Sequence, residues 1–463
     1  MLTKRLVVAL TIGLIVAGIA QAKTKRTSGP SLTPGLGEVH HAVSTKNAQA
    51  QKFFDQGLAR LYGFNHEEAR KCFQHAAELD PKLAMAWWGV AMTLGPNYNF
   101  PADPEPEKAA YDAVQRAISL QDNAPEPERA YINALAFRYS NDPKADLHQL
   151  DAAYRDAMAK LVTGYPDDLD AATLYADSAM NVHRWQLWLH DGRPNEGTEE
   201  IVAVLESVLQ RQPNHLGANH FYIHALEASP HPERALASAA RLEKLAPAAG
   251  HLVHMPSHIY ARVGDYVAAA RVNANAVVAD QKFIRSTRQP GLQAVMLYLH
   301  DLHFQAYANC MSGNFAEAKR AADKLIAEVR PHLKEMPMLE GFLPTSYLVL
   351  IAFERWAEIL QTPAPDASLV YTKGQWHFAR AMALAALGTT KQAQDESKAF
   401  LKNLGKLPPN TSFDSLNPVA NVARVQENLL AGMIGGHRGE SDEPGEALEG
   451  LQHAVAAEDA LNY

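Results

Sequence analysis

The chain has 463 residues, 47% of them hydrophobic and 20% charged, with 43 Lys and Arg against 51 Asp and Glu for a formal charge of −8. That length and apolar share suffice for a large buried core, and the acidic balance argues against a nucleic-acid partner, because phosphate contacts need clustered Lys and Arg. Only Cys72 and Cys310 are present, far apart along the chain, so stability is expected from packing and not from a disulfide.

From the N-terminus, Met1 to Ala22 reads as a secretory signal. Lys4 and Arg5 form the charged start, Leu6 to Ile19 the apolar run, and Ala20-Gln21-Ala22 the small-residue cleavage site. The apolar run falls short of the roughly 20 residues a membrane span needs, and no cysteine follows it to take a lipid. The expectation is therefore an exported protein, periplasmic or extracellular, with no membrane span once the signal is removed. Removal of Lys4 and Arg5 takes the formal charge from −8 to −10. Residues 23–49 are rich in Lys, Ser, Thr, Gly and Pro without helical period and read as a flexible linker.

From residue 50 to 463 the texture is Ala-rich and helical, with little of the Val, Ile and Thr alternation that strands require. Gln51 to Pro81 (QKFFDQGLARLYGFNHEEARKCFQHAAELDP) resembles a tetratricopeptide (TPR) repeat, a helix–turn–helix unit. Gly57 takes the small position of its first helix, Ala69, Phe73 and Ala76 the small-large-small positions of its second, and Pro81 closes it. Small residues let the two helices approach and the aromatic fills the gap. A second unit opens at Ala84 with Trp88-Gly89 in the matching places and has its second helix around Lys108 to Leu120. Glu128–Tyr139 with Leu147–Leu161, and Asp168–Arg184 with Thr198–Arg211, form further pairs. Gln293–Val329, Leu343–Leu360 with Gln375–Leu404, and Asn421–Leu461 follow. The fold class predicted is all-α, a TPR-type superhelix or α-solenoid. No polar capping helix is evident before Tyr463, so either the last helix caps the solenoid or the natural chain is longer.

Between the fourth and the Gln293 units lie two histidine-rich ones. His220 to His254 and His224 to His258 are each 34 residues apart, the length of one TPR unit. At WWGVAMTLGPNYN, HFYIHALEASPHPERAL and HLVHMPSHIYARVGDY the sequence resembles a family of bacterial exported TPR proteins, most specifically in the HLVHMPSHIY string. The resemblance implies a superhelix whose first helices line a concave groove, with every third or fourth residue facing inward. Set in that register, the inward positions are His220, His224 and Glu227 in one unit, His251, His254 and His258 in the next, and His300, His303, Tyr307 and Cys310 in the Gln293 unit. Asp177 points inward from the preceding one. The predicted site is thus a His-rich groove centred on residues 170–310.

Residues at i and i+4 of a helix have β-carbons about 5–6 Å apart and packed helices lie about 8–10 Å apart. Imidazoles on neighbouring helices can then meet on one ion at about 2.0–2.1 Å. Histidines with a carboxylate suit a divalent transition metal, Zn, Cu, Fe, Ni or Mn, and the spacing does not separate them. A metal-free groove that holds a peptide, a protein segment or a small ligand is the rival reading, since histidine also serves as an ordinary polar groove residue. Pro256, inside HLVHMPSHI, begins or kinks a helix, which leaves open whether His251 converges with His258.

Weaker features are Asn97-Tyr98-Asn99, read as a turn, and His183, Trp185, Trp188 and His190, a loop placed to cover the groove or pack on it. Trp376, His377 and Arg380 read as core or as a distant reach into the groove. His215 and His231 read as loop residues, Cys310 as a ligand or, more commonly, an inert thiol. His40 and His41 fall in the linker. No GxSxG, HExxH, GxxxxGK[ST] or CxxC occurs. The leading expectation is an exported TPR binding or scaffold protein with a metal or ligand site in its groove. The alternative is a metal-dependent enzyme, hydrolytic or oxidative, with Glu227 or Asp177 as base beside a metal-bound water.

Overall fold

The structure, a computed structural model, describes residues 30–463 except 102–103, 288–291, 414–416, 437–444, 460 and 462–463. The expected signal segment lies outside the described residues. All regular structure among them is helical, with two isolated bridges, Asn97–Phe100 and Trp188–Pro194, inside loops. The helices follow one another in pairs: α1 (Ala48–Tyr62) with α2 (His66–Leu79), α3 (Ala84–Met92) with α4 (Pro104–Leu120), α5 (Glu126–Leu135) with α6 (Leu147–Gly164), and α7 (Leu169–Val182) with α8 (Thr198–Arg211). α9 (Leu216–Leu226) pairs with α10 (Leu236–Leu245), and α11 (Gly250–His254) and α12 (Pro256–Arg262) together pair with α13 (Tyr266–Ser286). Then come α14 (Leu292–Met311) with α15 (Phe315–Val329), α16 (Thr345–Ala352) with α17 (Trp356–Gln361), α18 (Val370–Ala386) with α19 (Thr390–Leu404), and α20 (Val419–Gly436) with α21 (Gly445–Glu458). Each pair packs on the next, which makes the protein a TPR-type α-solenoid.

The local reasons are those read in the sequence. Phe73 is fully buried between α1 and α3. A β-carbon on Gly57 would stand 2.8 Å from its ring and one on Gly89 2.4 Å. Two glycines therefore make the slot and one aromatic fills it, a burial worth about 1.5–3 kcal/mol. Three of the turns from first to second helix share one chemistry. Gly264, Gly313 and Gly388 take left-handed φ values of 85°, 77° and 74°, which glycine adopts without steric cost. In two of them the next residue caps the second helix: Asp265 accepts from the Ala268 N–H and Asn314 from the Glu317 N–H.

Two features depart from a plain solenoid. Residues 30–47, expected as a free linker, are packed. Leu36 and Val43 are buried, the Ala248 N–H donates to the Gly35 carbonyl at 2.8 Å, and His41 Nδ1 lies 2.8 Å from Asp170. Ser44 donates to Glu128 from both its N–H and its hydroxyl. The apolar residues Leu36, Val39 and Val43 between the polar ones supply the anchorage that overall composition hides.

The second departure decides the site. α1 docks on α9, four units further along, with Tyr62 against Gly217, Gly63 against Leu252 and the Arg60 guanidinium 5.6 Å from the Phe283 ring. One continuous apolar core consequently runs from Leu36 to Ala308, whereas the C-terminal units carry separate smaller cores. Around the histidines the expected open concave groove is closed, because the first pair fills it.

Candidate metal centre

His220 and His224 stand one turn apart on α9, His251 and His254 on α11, His258 on α12 and His300 on α14. Pro256 occupies the first position of α12, and the chain runs through Met255 in right-handed helical conformation. The Met255 N–H donates to the His251 carbonyl at 3.0 Å and the His258 N–H to Met255 at 3.2 Å, so the helical path continues past Pro256. The histidines divide within α11, ahead of Pro256. His251 joins His220 and His224, while His254 and His258 join His300. In each triad one potential ligand atom per residue lies within 4.8 Å of the other two. The triads adjoin: the His251 and His254 rings stack at 6.1 Å and those of His224 and His258 lie 6.2 Å apart.

Which nitrogen carries the proton follows from the partners. His220 Nδ1 faces the Tyr62 carbonyl at 2.6 Å, His224 Nδ1 faces Glu227 Oε1 at 2.7 Å, and His258 Nδ1 faces Glu227 Oε2 at 2.6 Å. His254 Nδ1 faces Asn273 Oδ1 at 2.6 Å, and that amide's nitrogen is committed to the Ala269 carbonyl. All four partners accept, so each Nδ1 donates and each neutral ring carries its lone pair on Nε2. The Nε2 atoms of His220 and His224 are buried and have no hydrogen-bond partner, and neither ring nitrogen of His251 has one. In the second triad His254 Nε2 and His258 Nε2 face each other at 2.8 Å. Two lone pairs at that distance require a cation between them, either a proton or a metal ion.

Burial favours the neutral form of five of these rings. It pushes His220, His251 and His254 well below the ordinary imidazole range and His300 down to about 3, with neighbouring imidazoles adding to the effect. His224 is lowered by burial as well, against the pull of Glu227. Burial alone would raise the Glu227 carboxyl, but the facing His258 and His224 rings hold it well below its ordinary value.

Other expected ligands lie elsewhere. Glu227 turns both oxygens to the outer nitrogens of His224 and His258, so it orients two rings, one in each triad, in place of facing an ion. His303 lies one helical turn past His300, packs edge-on to Phe342 at 5.5 Å, and is lowered to about 4 by burial outside both triads. Asp177 faces Arg138 and Asp151 across α7, its carboxyl raised to about 6 by burial, because that side of α7 turns toward the α5–α6 unit. Cys310 is a free thiol packed against the small core of Ala306, Ala318, Ala321, Ala322 and Val349, and Cys72 is likewise free. A third cluster, His41 with Asp168 and Asp170, is saturated from within: Asp170 accepts from Tyr62, His41 and His215, and Asp168 from Tyr131. His215, expected in a loop, also caps α9 by accepting from the Ala218 N–H. His377 and Arg380 both pair with Glu396, and Trp376 Nε1 donates to the Thr362 carbonyl, a local network away from the triads.

Three aromatic residues cover the first triad. The Phe64 ring lies 4.6 Å from His220 and stacks at 5.7 Å on both His224 and His251. Tyr98 lies 5.0 Å from His224 and 4.7 Å from Trp185, which itself meets His224 at 6.1 Å. Asn97-Tyr98-Asn99 is therefore a turn, as its residues indicate, that delivers a buried aromatic to the histidines. Trp185 comes from the loop placed over the groove. Phe64 carried no such signal in the sequence, since nothing there brings the first unit to the fifth.

No protein-family model and no curated protein matches the chain. Among solved structures, yeast Tom70 aligns with a TM-score of 0.36 at 9% identity over 89% of each chain. A human IFIT1 dimer with m7Gppp-AAAA gives 0.38 at 12% identity over 90% of this chain and 91% of that one. The Cut9–Hcn1 hetero-tetramer of the APC/C gives 0.33 at 13%, covering 89% and 74%. Likenesses this faint say nothing about chemistry.

Proposed function

We propose that this protein is an exported metalloprotein that binds two transition-metal ions, one in each histidine triad, inside a closed TPR superhelix. One observation carries the reading: the buried Nε2 lone pairs of His220 and His224, each fixed by an Nδ1–H donor on the opposite side of its ring, converge with His251, neither of whose ring nitrogens has a partner, while those of His254 and His258 face each other. Buried polar groups are ordinarily satisfied, and ring nitrogens held from behind by a carbonyl or carboxylate are the usual outer arrangement of metal-binding histidines. With Glu227 turned to the outer nitrogens, the donors are imidazoles alone. That set suits zinc, copper, iron or nickel and disfavours manganese, which prefers oxygen donors. Three histidines with a free fourth position also match catalytic zinc sites, so metal-dependent hydrolytic or oxidative chemistry is the extension of this reading.

Metal analysis of protein purified without a histidine tag tests it. The expected content is two ions per chain, falling to one in His220→Ala and to one in His254→Ala. Absence of stoichiometric metal, together with unfolding that a strong chelator does not change, would refute it. The scaffold reading keeps support further along, where Tyr307 and Met311 stand one turn apart on α14, 44% and 49% exposed, as an apolar contact for a peptide or protein segment.

A further inference from the structure

The two triads are unlike, and the backbone of the first unit marks the difference. Where three later turns place Gly264, Gly313 and Gly388 in the left-handed conformation, the turn between α1 and α2 places Phe64, at φ 55°. The following Asn65 caps α2 by accepting from the Glu68 N–H, as Asp265 and Asn314 cap theirs, so the positions correspond. A bulky residue is disfavoured there by its β-carbon; three sister turns use glycine and the α16–α17 turn uses Glu354, at φ 53°. The Phe64 ring touches all three imidazoles of the first triad. Trp185, which packs on the same triad beside Tyr98, is left-handed too, at φ 59°. Two of the three non-glycine residues with positive φ among the described residues thus bear on one cluster, and strain of this kind is retained where side-chain placement demands it.

The second triad has a thinner cover. His258 and His300 are partly exposed, and the aromatic residue over the cluster, Phe304, is itself only half-buried. Metal sites with closed shells retain their ions, and those open on one side admit water or ligand. We propose that Phe64, with Tyr98 and Trp185, seals the His220–His224–His251 site so that its ion is held durably, while the His254–His258–His300 site exchanges its ion and presents an open coordination position. This division rests on the two-ion reading above.

The test loads the full chain with two equivalents of zinc and follows transfer to a chromogenic chelator by stopped flow. Wild type should release zinc in two phases of equal amplitude, with rates at least about ten-fold apart, the scale one lost aromatic contact sets. Phe64→Gly, the residue three sister turns use, should speed the slow phase by about ten-fold and leave the fast phase within about two-fold. His300→Ala should remove the fast phase alone. Phe64→Leu, which keeps apolar bulk and the same backbone demand, should fall between wild type and the glycine variant and serves if Phe64→Gly does not fold. Release of both ions in one phase, or a slow phase indifferent to both Phe64 variants, overturns the seal while leaving two-ion binding intact. Failure to retain any zinc overturns both.

Discussion

Closure of the superhelix can be tested without any metal, at Gly217. A β-carbon there would stand 2.5 Å from Tyr62 Cδ1, 2.7 Å from Cε1 and 2.9 Å from Cγ, on a ring that is 1% exposed. The ring has nowhere to retreat, because its hydroxyl donates to Asp170 Oδ1 at 2.5 Å and its own carbonyl accepts from His220. Overpacking of this kind costs about 1–3 kcal/mol, and release of the hydroxyl from a charged acceptor adds about 1.5–3. Gly217→Ala should therefore destabilise the metal-free protein by roughly 3–5 kcal/mol. Urea unfolding followed by circular dichroism measures it, as a lower midpoint of the transition that includes the N-terminal core. In a Tyr62→Ala background the ring is gone, and the same substitution should cost under about 1 kcal/mol, a coupling characteristic of residues in contact. An equal cost in both backgrounds, or less than about 0.5 kcal/mol in wild type, would mean that α1 does not dock on α9.

Other consequences follow from the same geometry. Glu227→Gln leaves one carbonyl for two imidazole donors, so one ring must move its proton to Nε2 and withdraw its lone pair; zinc affinity should fall about 10–100-fold in at least one site in chelator competition, and unchanged affinity in both would rule out the shared-carboxylate arrangement. Burial lowers His66 and His300 to about 3 and His303 to about 4, below the value of the unfolded chain. The unfolded state therefore takes up protons first. Stability of the metal-free protein should be full above pH 6.5 and fall toward pH 4 by about 1.4 kcal/mol per pH unit for each such histidine. Urea midpoints that stay level between pH 7 and 5 would contradict the burial.

Much of the molecule was legible along the chain because repeat packing is local. Gly57, Phe73 and Gly89 meet across adjacent helices, so a small-large-small pattern is enough to place them. The 34-residue interval put His220 and His254, and His224 and His258, at equivalent places on successive first helices. The same register placed Glu227, His303 and Asp177 on inward faces, but a face is wider than a coordination sphere. His303 lies one turn too far along α14, Asp177 answers to Arg138, and Glu227 meets the rings from behind. Which side of an imidazole a carboxylate approaches depends on rotamers and neighbours that spacing does not encode.

The sequence by itself determined the helical units, their order and the row of histidines, because each follows from periodicity, turn residues and contacts between neighbours. Only the tertiary structure decided that the row splits into two triads between His251 and His254, and that residues 30–47 and α1 fold back across four units to bury one of them under Phe64. The physical reason is range. Superhelical closure sums small rotations over many units, and no local pattern carries the total.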